Sequence, residues 1–140
     1  MRRRAPDPDL ELTPAKPGQP NHSHGPFDHE RLDAFVVARE ALGLGEDIAR
    51  GIPAERGYLA EQLRRALLDA YLGVAEAASQ TGPPRVARAR TARARAAEAA
   101  AALEAVLLLN LPSENVAPTI ALLGRLCAML TRLGARSLPR

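Results

Sequence analysis

Apolar residues recur every three or four positions in four stretches of this chain, which is the period of an amphipathic α-helix. By residue number, the stretches cover about 28–51, 55–79, 85–109 and, after a cap at 113 or 115, a last segment to about 136. Proline and glycine separate them, and such short connections favour antiparallel neighbours. No stretch shows the alternation of a strand. The pattern therefore predicts an all-α fold, an antiparallel up-down-up-down four-helix bundle over residues 27–136.

The first 26 residues do not continue this pattern. They contain six prolines and few apolar side chains. Proline removes a backbone donor and biases the preceding residue away from helix. A segment this polar buries too little apolar surface to offset the entropy lost on ordering. Residues 1–26 are therefore predicted to form a disordered, proline-rich tail.

Helical spacing also predicts which residues of each helix face the core. The first helix is expected to bury Leu32, Phe35, Val36 and Leu42. The third is expected to bury a seam of Ala89, Ala92, Ala96, Ala100, Leu103 and Leu107. The fourth has a broad apolar face made of Ile120, Leu122, Leu123, Leu126, Cys127, Met129, Leu130, Leu133 and Gly134.

The second helix is apolar over an even wider arc. Its main stripe consists of Leu59, Leu63, Ala66, Leu67, Ala70, Val74 and Ala77. A second, adjacent stripe consists of Leu68, Tyr71, Leu72 and Ala75. A surface helix of a bundle normally buries one stripe, and apolar surface left over commonly marks an interface. The second stripe and the broad fourth helix therefore predict a homo-oligomer.

Composition also bears on the cellular compartment of the protein. The only cysteine is Cys127, so no internal disulfide forms and nothing calls for an oxidising compartment. No uncharged apolar run reaches the length of a membrane span. The basic start of the chain is not followed by the apolar segment of an export signal. We therefore expect a cytoplasmic protein that does not enter a membrane.

Charge is distributed unevenly, although the net charge is only +3. Residues 27–52 carry six acids and three arginines, whereas residues 85–111 carry five arginines and two glutamates. The five arginines are Arg85, Arg88, Arg90, Arg93 and Arg95. One interpretation is a strip that contacts nucleic-acid phosphates; without interleaved aromatics it would bind the backbone rather than stack on bases. The other is a solvated face whose arginine stems cover apolar surface and pair with the acidic first helix.

The sequence gives little support to catalysis or metal binding. The histidines are His22, His24 and His29, which lie in or near the proline-rich tail, and no scaffold holds them for the three or four ligands that a structural metal site needs. The last three helices contain no histidine, so the Glu-x-x-His pairs of di-iron bundles are absent from them. We predict no catalytic residue, no metal and no cofactor, and keep a metal or redox bundle enzyme as a third hypothesis.

Two motifs of the second and third helices resemble a bacterial four-helix-bundle family. Residues 62–66 (Gln-Leu-Arg-Arg-Ala) and 74–76 (Val-Ala-Glu) are similar to its two consecutive signatures, residues 92–98 are similar to a later one, and Phe27 and Leu32 fit its usual beginning. The family is that of proteins encoded in intervening sequences of 23S ribosomal RNA genes, and it includes the accessory protein of diversity-generating retroelements. The resemblance implies a ring-like homopentamer and, for the retroelement member, a basic surface that binds nucleic acid and a reverse transcriptase.

Within these motifs we further expect four residues to form a buried, structural ion-pair network that joins the second and third helices. They are Arg64, Arg65, Glu76 and Glu98. The leading functional hypothesis is a non-enzymatic oligomeric adaptor that contacts RNA, DNA or an acidic protein partner through its third helix. Such an adaptor would cooperate with a nucleic-acid enzyme such as a reverse transcriptase. The alternative is a structural protein-interaction module that binds no nucleic acid and recruits a partner through the proline-rich tail.

Overall fold

Four helices make up nearly all of the computed structural model, which describes the backbone of residues 26–136 and the side chains of residues 33–135. In chain order they are α1 (Pro26–Arg50), α2 (Gly57–Ala78), α3 (Gly82–Leu108) and α4 (Val116–Arg136), with a 3-10 turn at Ala54–Arg56 before α2. Residues 26–136 contain no strand, so the all-α, four-helix prediction is confirmed. The predicted tail lies outside the described residues except for Pro26.

The four helices pack in a ring in which each contacts the next and α4 returns to α1. Named contacts between α1 and α2 run in opposite directions. Phe35 stacks on Tyr71, with ring centroids 5.1 Å apart, and further along α1 the carboxylate of Glu46 meets the guanidinium of Arg64. Residue numbers therefore rise along α1 as they fall along α2, so these two helices are antiparallel.

The α3–α4 pair runs the same way. Ala89 lies against Gly134, and Arg93 further along α3 reaches back to Thr131. These two antiparallel pairs fit the up-down-up-down arrangement, which stays a prediction for the bundle as a whole.

The core lies inside the ring and is built largely from leucine and alanine. The main stripe predicted for α2 is buried in full, with Leu63 and Val74 at 0% exposure. Small residues bring α2 and α3 unusually close. A Cβ built on Gly73 would lie 2.8 Å from the Cβ and 3.2 Å from the Cα of Ala92, which is inside normal carbon–carbon contact distance. Gly73 is therefore required for this helix spacing.

The face that α1 buries differs from the predicted one. Val36 was expected in the core but is 56% exposed, and Phe35 and Leu42 are only half-buried; the side chain of Leu32 lies outside the described ones. Among residues 33–50, those that α1 buries are Ala34, Val37, Ala38, Ala41, Gly45, Ile48 and Ala49. Alanine and glycine let α1 approach its neighbours closely. The small residues are therefore buried in the core, and Phe35 lies at the edge of α1 that contacts α2.

The alanine seam of α3 follows the prediction at Ala89, Ala92, Ala96 and Leu103 and is displaced by one residue at its other two positions. Val106 is fully buried, whereas Leu107 is 43% exposed and Ala100 only partly buried. The buried positions 89, 92, 96, 99, 103 and 106 repeat every seven residues, at 3.5 residues per turn, whereas the predicted seam had the 3.6-residue period of a straight helix. A seven-residue repeat keeps the seam of one helix facing its partner when the two helices wind around each other.

The broad apolar face of α4 is buried against other helices of the same chain. Its buried residues include Leu122, Leu123, Leu126, Leu130 and Leu133, and it packs on both α1 and α3. It therefore leaves no wide apolar surface for another subunit. The 20-residue segment Val116–Ala135 is long and apolar enough to cross a membrane by length and composition, a test that core helices of soluble proteins also pass. The cytoplasmic location stays a prediction.

Candidate functional site

The five arginines of α3 do not form one strip. Arg85 is buried, at 7% exposure, and its Nε donates a hydrogen bond of 2.7 Å to the backbone carbonyl of Gln80. That carbonyl lies just past the C-terminus of α2, where the helix dipole and unsatisfied carbonyls favour a cation. Arg85 therefore ties the α2–α3 connection together, and its assignment to an exposed phosphate strip was wrong.

Arg88 and Arg95 lie on the side of α3 that faces α2. They precede and follow Ala92 by four and three residues, and positions at this spacing share a helix face; Ala92 is the residue that touches Gly73 of α2. Both arginines are exposed, and Arg95 donates from Nη1 to Glu98 over 2.8 Å. Arg95 is thus partly neutralised within its own helix, which leaves Arg88 as the exposed cation of this edge.

Arg90 and Arg93 lie on the opposite edge of α3 and line a groove against α4. The groove has a volume of about 240 Å³, and both arginines are exposed at its surface. The remaining lining residues are Val86, Ala89, Leu130, Thr131, Gly134 and Ala135. The small residues Ala89 and Gly134 leave space between the two helices, so two guanidinium groups border a depression whose lining is both polar and apolar.

A short chain of hydrogen bonds positions the guanidinium of Arg93. Its Nη1 donates to Thr131 Oγ1 over 2.9 Å, and Thr131 Oγ1 in turn donates to the carbonyl of Cys127 over 2.9 Å. The thiol of Cys127 donates to the backbone carbonyl of Arg93, with Sγ and O 3.7 Å apart. Arg93, Thr131 and Cys127 thus form a closed circuit between α3 and α4. The other guanidinium donors of Arg93 remain for a ligand, since an arginine carries five N–H groups.

The Cys127 thiol stays protonated in this circuit. Burial raises its pKa above the ordinary value of 9.0, and the nearby charge of Arg93 only partly opposes that effect. A protonated thiol is a weak hydrogen-bond donor and a poor nucleophile. The geometry therefore indicates a structural role for the half-buried Cys127.

The electrostatic surroundings of the groove are basic. In the sequence, α3 has no acid before Glu98, and α4 has none along its whole length but carries Arg125 and Arg132, which are exposed. Arg90 and Arg93 are three residues apart on α3, no acid is among the described residues that line the groove with them, and like charges at this spacing repel. An anion in the groove would relieve that repulsion.

The predicted ion-pair network is replaced by two other ion pairs. Arg64 pairs with Glu46 of α1 through two contacts, Nε–Oε1 at 3.0 Å and Nη2–Oε2 at 3.2 Å. Glu98 pairs with Arg95 of its own helix. Arg65 and Glu76 are exposed. The four residues point to different faces of α2 and α3, so within one chain they neither meet nor become buried, and the predicted network was wrong.

The Arg64–Glu46 pair therefore joins α1 to α2 rather than α2 to α3. The hydrogen bond from Arg64 lowers the pKa of the Glu46 carboxyl below its ordinary value. The same bond raises the pKa of the Arg64 guanidinium. Glu46 of acidic α1 thus pairs with α2. The interpretation in which α1 neutralises the arginines of α3 stays a prediction, since the acidic side chains near the start of α1 lie outside the described ones.

Among the described residues, no group of three or more histidine, cysteine, aspartate or glutamate side chains is close enough to hold a metal ion. The histidines all fall outside the described side chains. That the chain is not an enzyme stays a prediction.

Fold and site together define a class: an all-α, four-helix protein with an arginine-bordered groove between α3 and α4. No family model and no curated protein matches this chain. The resemblance to the intervening-sequence family therefore stays a prediction.

Proposed function

We propose that this protein is a non-enzymatic, oligomeric adaptor that binds the phosphate backbone of RNA or DNA through Arg88, Arg90 and Arg93. In this function it assists a nucleic-acid enzyme such as a reverse transcriptase. The observation that carries the proposal is the guanidinium of Arg93, positioned by Thr131 at the edge of a groove that Arg90 also borders. Positioned guanidinium groups suit phosphate because their paired N–H donors match its oxygens.

The chemistry of the groove favours phosphate contacts over base recognition. The aromatic side chains among the described residues are Phe35, Tyr58 and Tyr71, which belong to α1 and α2. Neither wall of the groove therefore offers a ring on which a base could stack. Phosphate contacts position a nucleic acid without reading its sequence, so binding is expected to tolerate any sequence and to weaken with salt.

The surroundings of each arginine predict how much it contributes to nucleic-acid binding. Within the described part of the chain Arg90 and Arg93 form no ion pair, Arg95 is paired with Glu98, and Arg85 is buried against the α2–α3 connection. Arg95→Gln should therefore weaken binding less than Arg90→Gln. Arg85→Gln should lower stability and leave the salt dependence of binding unchanged.

Fluorescence-anisotropy titrations with labelled single- and double-stranded DNA and RNA test the proposal, over a series of salt concentrations. The logarithm of the binding constant falls linearly with the logarithm of the salt concentration, and each lost phosphate contact lowers the magnitude of this slope by about 0.7–0.9. The double variant Arg90→Gln/Arg93→Gln should therefore reduce it by roughly 1.4–1.8. Changing Arg88 and Arg95 to Gln as well should abolish binding without unfolding the bundle.

The matched control is Arg39→Gln/Arg50→Gln, which removes the same charge from exposed positions of α1, the helix diagonally opposite α3. It should lower the slope far less. Equal effects of the two double variants would mean that net charge, not the groove, governs binding. Absence of binding by the unchanged protein even at low salt would refute the proposal and favour a protein-interaction module. Deletion of residues 1–26 would then be the next variant for partner capture.

A further inference from the structure

The outward face of α2 carries a stripe that the bundle does not cover. Its members recur at alternating spacings of four and three residues: Glu61, Arg65, Leu68, Leu72, Ala75 and Ser79. All six are exposed, and the two leucines at the centre are 46% and 47% exposed. Alternating spacings of four and three are the pattern by which one helix presents a continuous seam to another.

The contacts of α2 show that this stripe faces away from the ring. Toward α1, α2 presents Arg64 and Tyr71, which meet Glu46 and Phe35. Toward α3 it presents Gly73, which meets Ala92. The stripe lies between these two edges on the outer side. Within the described part of the chain, no ion pair is formed by Arg65 or by Glu76, which borders the stripe.

The stripe is complementary to an antiparallel copy of itself. Its apolar centre lies between Leu68 and Leu72; a basic residue lies three positions before Leu68, and an acidic residue lies four positions after Leu72. An antiparallel copy centred on the same point places Leu68 against the second copy's Leu72. It also places Arg65 against the second copy's Ala75, next to Glu76. Two-fold symmetry repeats each contact, so both Arg65–Glu76 pairs form at once.

We propose that a second copy of this chain docks antiparallel on the outer face of α2, with Leu68 and Leu72 at the two-fold centre and an Arg65–Glu76 pair on each side. Arg65 and Glu76 are both exposed in a single chain. In the proposed dimer they form ion pairs between the two chains. Such an isologous interface closes at two subunits, in contrast to the five-membered ring that the sequence resemblance implies. It rests on the proposed oligomeric state and is independent of nucleic-acid binding.

The docked copy leaves the groove between α3 and α4 open, since α4 lies diagonally across the ring from α2. A dimer would thus carry two grooves related by the two-fold axis. Two linked sites raise the avidity for one long nucleic acid without any new contact.

Sedimentation-velocity measurements on the full chain, from about 1 to 200 μM, test this inference without nucleic acid. The unchanged protein should show a monomer–dimer equilibrium. Arg65→Glu and Glu76→Arg should each weaken the dimer at least tenfold, because each places like charges together twice. The double variant Arg65→Glu/Glu76→Arg reverses both pairs and should restore most of the association, which a merely structural role of either residue would not do.

Leu68→Gln/Leu72→Gln should give a monomer whose helical circular dichroism is unchanged. The matched control is Leu107→Gln/Leu108→Gln, which removes two exposed leucines from α3 and should leave the dimer intact. A monomer at all concentrations would overturn the inference. So would an assembly that these changes do not alter, or failure of the double charge reversal to restore association. The anisotropy titrations answer separately whether the groove binds nucleic acid.

Discussion

Gly73 offers the sharpest test of the packing that positions α3. Replacing a glycine with alanine inside a helix ordinarily stabilises a protein by about 0.5–1 kcal/mol, because the unfolded chain loses freedom and the helix gains propensity. At Gly73 the added methyl group would lie 2.8 Å from the Cβ and 3.2 Å from the Cα of Ala92. The second of these atoms is backbone, so no rotamer change relieves it, and α2 and α3 must separate by several tenths of an ångström.

Forcing one extra carbon into a well-packed contact costs about 1–3 kcal/mol. Subtracting the gain in propensity leaves Gly73→Ala less stable than the unchanged protein by roughly 1 kcal/mol. Urea unfolding followed by circular dichroism measures the difference. With a slope of about 1–2 kcal/mol/M, the midpoint should fall by about 0.5–1 M. All variants are compared at one protein concentration because the chain is proposed to associate.

Gly43 and Gly124 supply matched controls. Both are exposed and lie inside helices, and a Cβ on either would meet nothing within 4 Å. Gly43→Ala and Gly124→Ala should therefore raise the midpoint, the opposite sign to Gly73→Ala. If Gly73→Ala were as stabilising as these two, the close approach of α2 and α3 would not exist in solution and the reasoning would be refuted.

A double-mutant cycle identifies the atom responsible. Ala92→Gly removes the nearest atom but leaves the backbone Cα at 3.2 Å. The double variant Gly73→Ala/Ala92→Gly should therefore be more stable than the sum of the two single changes, by a coupling energy of about 0.5 kcal/mol or more. Zero coupling would place the strain somewhere other than this contact.

Three further substitutions and one alkylation experiment probe the core, the ion pair, the groove and Cys127. Leu103→Ala should cost about 2–5 kcal/mol in urea unfolding, because this side chain is fully buried. Since the pKa of Glu46 is lowered, the stability from its ion pair is present above pH 4.5 and lost as the pH falls, and Arg64→Gln should flatten that decline. Thr131→Val should weaken nucleic-acid binding in the anisotropy titration while leaving the melting temperature within a few degrees, because it only releases the adjacent guanidinium. Burial raises the pKa of Cys127, so iodoacetamide should alkylate it more slowly in the folded protein than in urea, and any stability from the neutral thiol should be lost only above about pH 9.

Helical periodicity was sufficient to predict the number and approximate bounds of the helices and the buried stripe of α2. It failed on α1, where it favoured Val36 over Ala34 and Ala38. Alanine occurs on both buried and exposed faces, so its position carries little information about burial. The close approach of α1 to its neighbours, which makes alanine the better core residue, depends on the partner helices and is not visible in one segment.

In the candidate site, too, spacing within one helix was predictable from the sequence, whereas contacts between helices were not. Spacing along α3 is enough to place Arg88 and Arg95 on the opposite edge from Arg93, because all three lie on one helix. It could not find Thr131, since its contact with Arg93 depends on the register between α3 and α4. Nor could it show that Arg85 is buried, because its acceptor is a backbone carbonyl that the fold brings within reach.

The arrangement of charge on α3 argues for a ligand rather than for stability. Arg95 has Glu98 three residues later, which is the local solution to a surplus of positive charge on a helix. Arg90 and Arg93 have no such neighbour, and repulsion at this spacing costs a few tenths of a kcal/mol. Thr131 holds Arg93 in place at the groove instead of letting it turn away into solvent. Local departures from stabilising patterns are expected where a protein binds something, and an anion between these arginines would turn the unfavourable contact into a favourable one.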